Sequence, residues 1–317
     1  MGKALAAAVA IGGCLFALPA AARPQASAEI RIGDVDRFYA LYDAAGGKPS
    51  AEVLQHDYID AGSDGVRQFV PHRILSGQKL ATEVALHPEI YQGARACLKV
   101  LPTVKARLET AFAKLAKLDP QAHFPPVTIL IGRNNSGGTT GASGVLIGLE
   151  VACRSDWPQA EIADRLVHLI AHEYGHIQQP AALDDETLPT TVLRQSLIEG
   201  VAELLAELSS GDIGNAHLRD WTRGKQAEID KRFLAEADSA DLSDWLYNGR
   251  GTPDHPGDLG YWEGYRIAKA YYDHAKDKRT ALATLIRLDS PKAILAESGW
   301  TPAPLPAGPT PSAPSAP

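Results

Sequence analysis

The most constraining feature of the chain is the pentapeptide His172-Glu173-Tyr174-Gly175-His176. Residues four apart lie on one face of an α-helix, so His172 and His176 can offer two imidazole nitrogens to one metal ion. Glu173 lies one step around the helix, where its carboxylate can reach a water on that metal without binding the metal itself. The alternative is two surface histidines beside a glutamate on an amphipathic helix, and the residues around the motif argue against it.

The flanking residues predict a well-defined helix that ends soon after the motif. Asp156 is a good N-cap, Pro158 suits a first turn, and Gln159 occupies the N3 position of a capping box. Apolar residues then follow at a spacing close to the helical period: Ile162, Leu166, Leu169, Ile170 and Ile177. Pro180 ends the run. The motif is therefore expected in the last two turns of the helix, at the edge of a core and facing a cleft.

A third ligand is expected because a catalytic zinc ion usually takes three protein ligands and leaves one position for water. A histidine in a Gly-x-x-His continuation of the motif is excluded, since Gln179 and Ala182 occupy those positions. The other common source is a glutamate from a later helix. Residues 188–210, followed by Gly211 as a stop signal, predict such a helix. Within it, Glu199 is expected to bind zinc.

Two further residues of this second helix bear on the site. Glu203 is four residues after Glu199 and shares its face, where it can accept the second ring N–H of a ligating histidine and fix its tautomer. Gly200 costs a mid-helix position about 1 kcal/mol relative to alanine, which indicates close approach of the two helices. The alternative for the glutamates is a solvated acidic face that continues to Glu207.

The His-Glu-x-x-His motif followed by Glu-Gly-x-Ala-Glu resembles the glutamate-zincin peptidases. More narrowly, the chain is similar to the predicted zinc-dependent proteases of bacteria that carry a domain of the DUF2268 type. Three weaker similarities accompany these motifs. Residues 38–43 and 58–65 resemble the family's N-terminal helical part, residues 137–140 and 144–148 its glycine-rich hairpin, and residues 260–266 the start of its C-terminal helix. The resemblance implies that His172, His176 and Glu199 bind one zinc ion and that Glu173 is the acid/base.

The predicted fold is mainly α (α+β): a zincin-like helical domain with a small β-hairpin or sheet before the motif helix. Residues 127–131 and 143–151 read as two strands that form a hairpin around a glycine-rich loop, residues 134–144. That loop lacks the Gly-Lys-Ser/Thr ending of a phosphate loop, so nucleotide binding is not expected. An edge strand here would be placed to pair with an extended peptide, although a purely structural hairpin is an equal alternative. Helices are predicted at residues 35–45, 50–58, 62–69, 98–118, 188–210, 218–237 and 260–275.

The chain is expected to comprise four parts: a signal peptide (1–28), an N-terminal helical region (29–120), a metallopeptidase domain (121–300) and a disordered Pro/Ala-rich tail (301–317). Lys3 precedes an apolar run that is too short for a membrane span, and cleavage is expected after Ala22 or Ala28. Cys14 lies in a weak lipoprotein-like site, but the apolar continuation through Leu18 favours ordinary secretion. The protein is therefore expected to be exported, periplasmic or secreted.

Charge and cysteines limit the partners and the compartment. The net charge of −7 provides no basic surface for nucleic acid, which is not an expected partner. Cys97 and Cys153 are the cysteines left after signal removal, and in an oxidising compartment they predict one disulfide, with two buried thiols as the alternative. Such a disulfide would close a loop of about 55 residues and stabilise the fold by about 4 kcal/mol.

The expected chemistry is zinc-assisted hydrolysis of a peptide or protein substrate, with Glu173 moving the proton. The oxyanion that develops needs a hydrogen-bond donor from the far side of the cleft. Tyr265 is the first candidate, with Tyr261 and His255 beside it, and core packing is the alternative for each tyrosine. Two other functions remain open: a zinc-stabilised envelope binding or chaperone-like protein with a weak or unused site, and a hydrolase for non-peptide substrates. The sequence does not indicate an oligomeric state.

Overall fold

The computed structural model describes residues 29–156, 161–184, 187–249, 251–252, 254 and 256–304. The predicted signal peptide, most of the predicted tail and His255 lie outside these residues. The described part of the chain is mainly helical and contains one small four-stranded sheet, so the predicted fold class is confirmed. Within the same residues, no helix has the length and apolar character needed to cross a membrane.

The sheet has the strand order β1-β2-β4-β3, with bounds β1 (Ile30–Arg31), β2 (Val127–Leu130), β3 (Gly138–Gly141) and β4 (Gly144–Gly148). β1, β2 and β4 run parallel, and β3 is antiparallel to β4 at the edge. The predicted hairpin between the two apolar segments is therefore wrong, because those segments pair in parallel. The hairpin in the structure is formed by β3 and β4. β3 consists of glycine and threonine and lies inside the segment that was predicted to be a loop.

The helices before the sheet are α1 (Gly33–Ala44), α2 (Ala51–Val53), α3 (Asp64–Phe69), α4 (Gly77–Leu86), α5 (Pro88–Ala94) and α6 (Leu101–Leu118). Two π-helical turns (Leu54–Asp60, Val70–Ile74) and a 3-10 turn (Arg95–Val100) connect them. Those after β4 are α7 (Leu149–Ala152), α8 (Ile162–Gln178), α9 (Val192–Ser210), α10 (Leu218–Trp221), α11 (Gln226–Glu236), α12 (Leu259–His274), α13 (Lys278–Arg287) and α14 (Pro291–Glu297), with a 3-10 turn at Ala181–Asp184. The predicted second strand thus turns helical at α7, and the predicted helix 218–237 is broken into α10 and α11.

The motif helix α8 begins later than its sequence predicts. Its N-cap is Glu161, with extended backbone and no capping side-chain bond. The predicted cap Asp156 instead accepts hydrogen bonds at 2.8 and 2.9 Å from the Arg154 guanidinium. Pro158 and Gln159 lie outside the described residues. The predicted end is confirmed, since α8 stops at Gln178, two residues before Pro180.

Two apolar cores flank the site. One core joins the N-terminal helices to the sheet and to the buried face of α8, and the other is built around α9 and α12. Gly175 of the motif brings α8 against α9, where a Cβ would lie 2.6 Å from the Cα of Ala202. Gly200, expected to serve that contact, instead meets α12: its Cβ would lie 2.0 Å from the carbonyl carbon of Gly264. These two close approaches hold α8 against α9 and α9 against α12. The predicted domain boundary at residue 120 stays a prediction.

The structure contains the predicted disulfide between Cys97 and Cys153, whose Cα atoms are 6.2 Å apart. Cys97 lies in the 3-10 turn before α6, and Cys153 follows α7 on the way to α8. The bond therefore ties the N-terminal helices to the segment that leads into the motif helix.

A buried ionic cluster fixes α12 against α11. Glu263 and Asp230 are both fully buried and share the guanidinium of Arg266, and Gln226 donates to both carboxylates. Burial raises the pKa of Glu263 to about 8, although Arg266 acts in the opposite direction. Glu263 therefore keeps its proton in the folded protein over a range in which the unfolded chain, with a pKa near 4.5, has lost it.

This difference predicts how stability depends on pH. Because the folded state binds the extra proton, the free energy of unfolding should fall as pH rises from about 5 to about 8, by at most about a tenfold change in the unfolding equilibrium constant per pH unit from this group. Glu263→Gln should flatten the decrease. Urea unfolding of both proteins across this range, with a chelator present to remove metal effects, measures the difference. Parallel pH profiles in the two proteins would contradict the protonation assigned to Glu263.

Candidate metal centre

The structure brings the three predicted metal ligands together between α8 and α9. Nε2 of His172 and Nε2 of His176 are 3.1 Å apart. Oε2 of Glu199 lies 3.3 Å from the first nitrogen and 3.1 Å from the second. Within the described residues this is the group of side chains that could hold a metal ion, and all three are mostly or fully buried.

These separations fit zinc. Ligand atoms bound tetrahedrally at about 2.0–2.1 Å lie about 3.3 Å from one another. Two imidazole nitrogens and one carboxylate oxygen are also the donor set of a catalytic zinc site, which leaves one position for water. The geometry of His172, His176 and Glu199 therefore fits a zinc ion.

The histidine rings and the carboxylates of the cluster shift one another's pKa values. Burial by itself disfavours a charged His172 ring, but the carboxylates of Glu203 and Glu199 outweigh it and raise the pKa of His172 well above its usual value. Burial likewise acts against charging Glu199, but the two histidine rings hold the pKa of its carboxyl well below the usual range. A carboxylate that stays ionised at all moderate pH values is ready to bind a cation.

Gln179 orients the second histidine. Its Oε1 accepts a hydrogen bond from Nδ1 of His176 at 2.8 Å, and its Nε2 donates to the carbonyl of Ile198 at 2.8 Å. Because the amide oxygen can only accept, Nδ1 carries the proton and Nε2 keeps its lone pair for a metal. Sequence reasoning used Gln179 only to exclude a histidine ligand and missed this role. The sequence does contain an indication of this contact, because Gln179 lies three residues after His176, about one helical turn away.

Glu203 lies behind the first histidine, as its spacing predicts. Its buried carboxylate accepts hydrogen bonds from the backbone N–H of Gly214 and from the backbone and side chain of Asn215, the latter two at 3.1 and 2.8 Å. Its Oε1 faces Nδ1 of His172 at 3.5 Å, a long contact that still acts electrostatically. Glu203 is thus fixed by the loop after α9 and is placed to orient His172.

Losing the Gln179 contact should weaken zinc binding. Gln179→Leu removes the acceptor that fixes the His176 tautomer, and outer-shell changes of this kind typically lower metal affinity about 10–100-fold. Competition with a chromophoric chelator measures the affinity. Gln178→Leu is the matched control, because Gln178 bonds to His123 and Tyr174 and not to a ligand. Equal affinities of the two variants would show that Gln179 does not position His176.

The cluster opens into a cleft of about 690 Å³. The cleft is lined by β3 and the residues that lead into it, and by Asn215, Tyr247 and Tyr261. Glu173 lies between the metal ligands and β3, so close to Gly138 that a Cβ there would be 2.5 Å from Glu173 Oε1. Burial raises the pKa of the Glu173 carboxyl, which strengthens it as a base. The edge strand β3 therefore borders the Glu173 carboxylate.

The three tyrosines near the site have different positions. Tyr261 lines the cleft, and its ring stacks on His172 with centroids 5.9 Å apart. Tyr265, the first candidate from sequence, is not brought to the site: it is buried beside Trp262 in the second core, with its hydroxyl near Glu207. Sequence reasoning missed Tyr247, whose hydroxyl donates to Oε1 of Glu199 at 2.9 Å. It lies in the loop before α12, and its backbone has a φ of 59°.

The fold and the ligand set define a class: mainly helical proteins with a His-Glu-x-x-His helix that meets a glutamate from a second helix beside a sheet edge. The model of the DUF2268 family, described as predicted Zn-dependent proteases, matches residues 127–294, more than half of the 317-residue chain. The chain therefore belongs to this family. The match extends from β2 into α14 and includes every ligand of the candidate centre. Searches of curated proteins and of solved structures found no match.

Proposed function

We propose that this protein is an exported zinc metallopeptidase that hydrolyses peptide bonds with Glu173 as the general base. One observation carries the proposal. Glu173, three donor atoms at the spacing of zinc ligands, and the edge strand β3 all line the same cleft. Zinc at this centre would lower the pKa of a bound water and polarise the scissile carbonyl. The remaining steps fall to side chains of this chain.

Glu173 is suited to move the proton. Its carboxylate points into the cleft from the motif helix, and burial raises its pKa, so it can accept a proton from the attacking water. The same carboxyl then passes that proton to the leaving amine nitrogen, which returns Glu173 to its ionised form. Gly138 supports this role, because a larger residue there would displace the Glu173 carboxylate.

Tyr247 and Tyr261 are the proposed donors to the oxyanion. Both line the cleft, whereas Tyr265 is buried in the core around α9 and α12 and is not proposed as a donor. The Tyr247 hydroxyl already lies 2.9 Å from Oε1 of Glu199, and the residue is 59% exposed, so its side chain can turn toward a substrate without disturbing the core. We therefore place Tyr247 first and Tyr261, held by its stacking on His172, second.

The substrate is proposed to be an extended peptide that pairs with β3. This strand has β4 on one side, and its other side forms the wall of the cleft. An extended peptide that adds to a free sheet edge gains main-chain hydrogen bonds, and it would here pass beside Glu173 and the metal ligands. Export is proposed from the sequence of residues 1–28, and the disulfide is consistent with an oxidising compartment.

The test combines metal analysis with cleavage of a synthetic library of randomised peptides, read by mass spectrometry. Zinc at one ion per chain and cleavage products from the wild-type protein are expected. Zinc-loaded protein that binds peptides without cleaving them would support the alternative, an envelope binding or chaperone-like protein. Protein without zinc affinity would contradict both.

A further inference from the structure

We propose that Arg73 is a specificity-determining residue that binds a carboxylate of the substrate beside the edge strand β3. The proposal rests on the proposed peptidase function and names the chemistry of the preferred substrate. Arg73 is the one arginine among the described residues that line the cleft, and it reaches the Glu173 carboxylate only through space, by its charge.

The Arg73 guanidinium is held firmly against β3. Arg73 comes from the π-helical turn Val70–Ile74. Its Nε donates to Oγ of Ser136 at 3.0 Å and its Nη2 donates to Oγ1 of Thr139 at 2.8 Å. Its guanidinium carbon lies 5.3 Å from the centre of the Phe69 ring. A guanidinium fixed on three sides loses little conformational freedom when it binds a ligand.

The charge of Arg73 is available for a ligand. Across the described ranges, no carboxylate lies within ion-pair distance of Arg73. Its side-chain bonds use Nε and Nη2, so Nη1 remains for a ligand. The side chain is half-buried on the cleft wall. A partly desolvated guanidinium forms strong, charge-assisted bonds to a carboxylate, and with few competing waters these bonds discriminate well against neutral groups.

The alternation of β3 decides which substrate groups reach Arg73. Successive residues of a strand face opposite sides of the sheet. Gly138 faces Glu173 on α8, and the next residue, Thr139, faces Arg73 on the other side. A peptide paired with β3 has the same alternation, so every second side chain points toward Arg73 while the others point toward the metal centre. The group that Arg73 selects is a carboxylate, either of an Asp or Glu side chain or of a free C-terminus.

The experiment uses peptides taken from the cleaved members of the randomised library. Each peptide is compared with versions in which Glu or Asp is replaced by Gln or Asn, one position at a time, and with a version amidated at the C-terminus. In the wild-type protein, one of these changes should lower kcat/KM about 10–100-fold, as expected for loss of a charge-assisted pair. The position of the effect distinguishes an internal acidic side chain from the C-terminal carboxylate.

Arg73→Gln should abolish this discrimination, so that acidic and neutral peptides are cleaved about equally well. The variant also loses bonds to Ser136 and Thr139, which can lower the activity on all peptides, so the ratio between acidic and neutral peptides is the readout. Thr139→Val is the matched control, because it removes one bond of Arg73 and keeps its charge, and it should retain the preference. Equal loss on both kinds of peptide in Arg73→Gln, or no preference in the wild type, would overturn the proposal.

A binding assay keeps this inference separate from the proposed function. Zinc-loaded Glu173→Gln protein is immobilised and the randomised library is passed over it, with Glu173→Gln/Arg73→Gln as the comparison. Enrichment of acidic or free-acid peptides on the first protein and its absence on the second support the role of Arg73 even if the wild type cleaves nothing. Identical bound fractions on the two proteins overturn it even if the wild type is an active peptidase.

Discussion

Replacing Glu173 by glutamine is expected to leave zinc bound and to lower kcat by about 10²–10⁴-fold, the range typical of general acid–base catalysis. Glutamine has nearly the size of glutamate, so it can keep the contact with Gly138 and the shape of the cleft. Its amide cannot take a proton from water at neutral pH, so the step assigned to Glu173 is lost. The measurements are zinc content by elemental analysis and kcat on a peptide cleaved by the wild type.

The control for this variant is Glu161→Gln, which changes a glutamate at the N-cap of the same helix, outside the cleft. It should retain both zinc and activity. Activity of Glu173→Gln close to that of the wild type would remove Glu173 from the mechanism. Loss of zinc together with activity would instead show that Glu173 maintains the ligand geometry.

The metal centre was predictable because its information is local. Two histidines four apart need only a helix to share a face, and the end of that helix is encoded by Pro180. Glu199 needed one further step, which was that the second helix packs beside the first. The structure confirms this packing through Gly175 and Ala202. Short-range periodicity and one helix–helix contact were therefore enough to predict the three candidate ligands that the structure brings together.

The sheet and the cleft walls could not be predicted in the same way because their contacts are non-local. Apolar runs indicate that β2 and β4 are buried, but nothing within either run states whether they pair in parallel. β3 has the composition of a loop and becomes a strand only because β4 supplies its hydrogen bonds. Arg73 reaches the cleft from a π-helical turn far earlier in the chain, so its spacing from the motif carries no information.

The tyrosines show how a correct element can give a wrong residue. The helix at residues 260–275 was predicted with nearly its true bounds, and Tyr261 and Tyr265 were both candidates because they lie at its start. Only the first turn of α12 borders the cleft. At Gly264 the helix crosses α9, where a Cβ would lie 1.7 Å from the carbonyl oxygen of Ser196, so Tyr265 is directed into the core. The point at which α12 crosses α9 therefore determines which tyrosine faces the cleft, and that point depends on the sequences of both helices.

Glu199→Ala is expected to reduce bound zinc well below one ion per chain and to weaken affinity more than the 10–100-fold typical of outer-shell changes. The variant leaves two histidine ligands and removes the carboxylate whose Oε2 lies within 3.3 Å of both ring nitrogens. Two neutral imidazoles in a buried site neither complete the coordination nor balance the charge of the ion. Elemental analysis after dialysis against a weak chelator gives the stoichiometry, and competition titration gives the affinity.

Glu207→Ala is the matched control for Glu199→Ala, since Glu207 lies on the same helix and pairs with Lys269 outside the cluster. It should bind zinc like the wild type. Full zinc occupancy in Glu199→Ala would move the third ligand to another carboxylate, and Glu203 would be next because its Oε1 lies 3.5 Å from His172. Glu203, however, already accepts three hydrogen bonds from Gly214 and Asn215, so metal binding there would cost those bonds. Glu199 forms no such bonds to the backbone in the described residues. Besides the histidines it accepts the hydroxyl of Tyr247 on Oε1, while Oε2 faces both rings, which is the physical reason for assigning the metal to it.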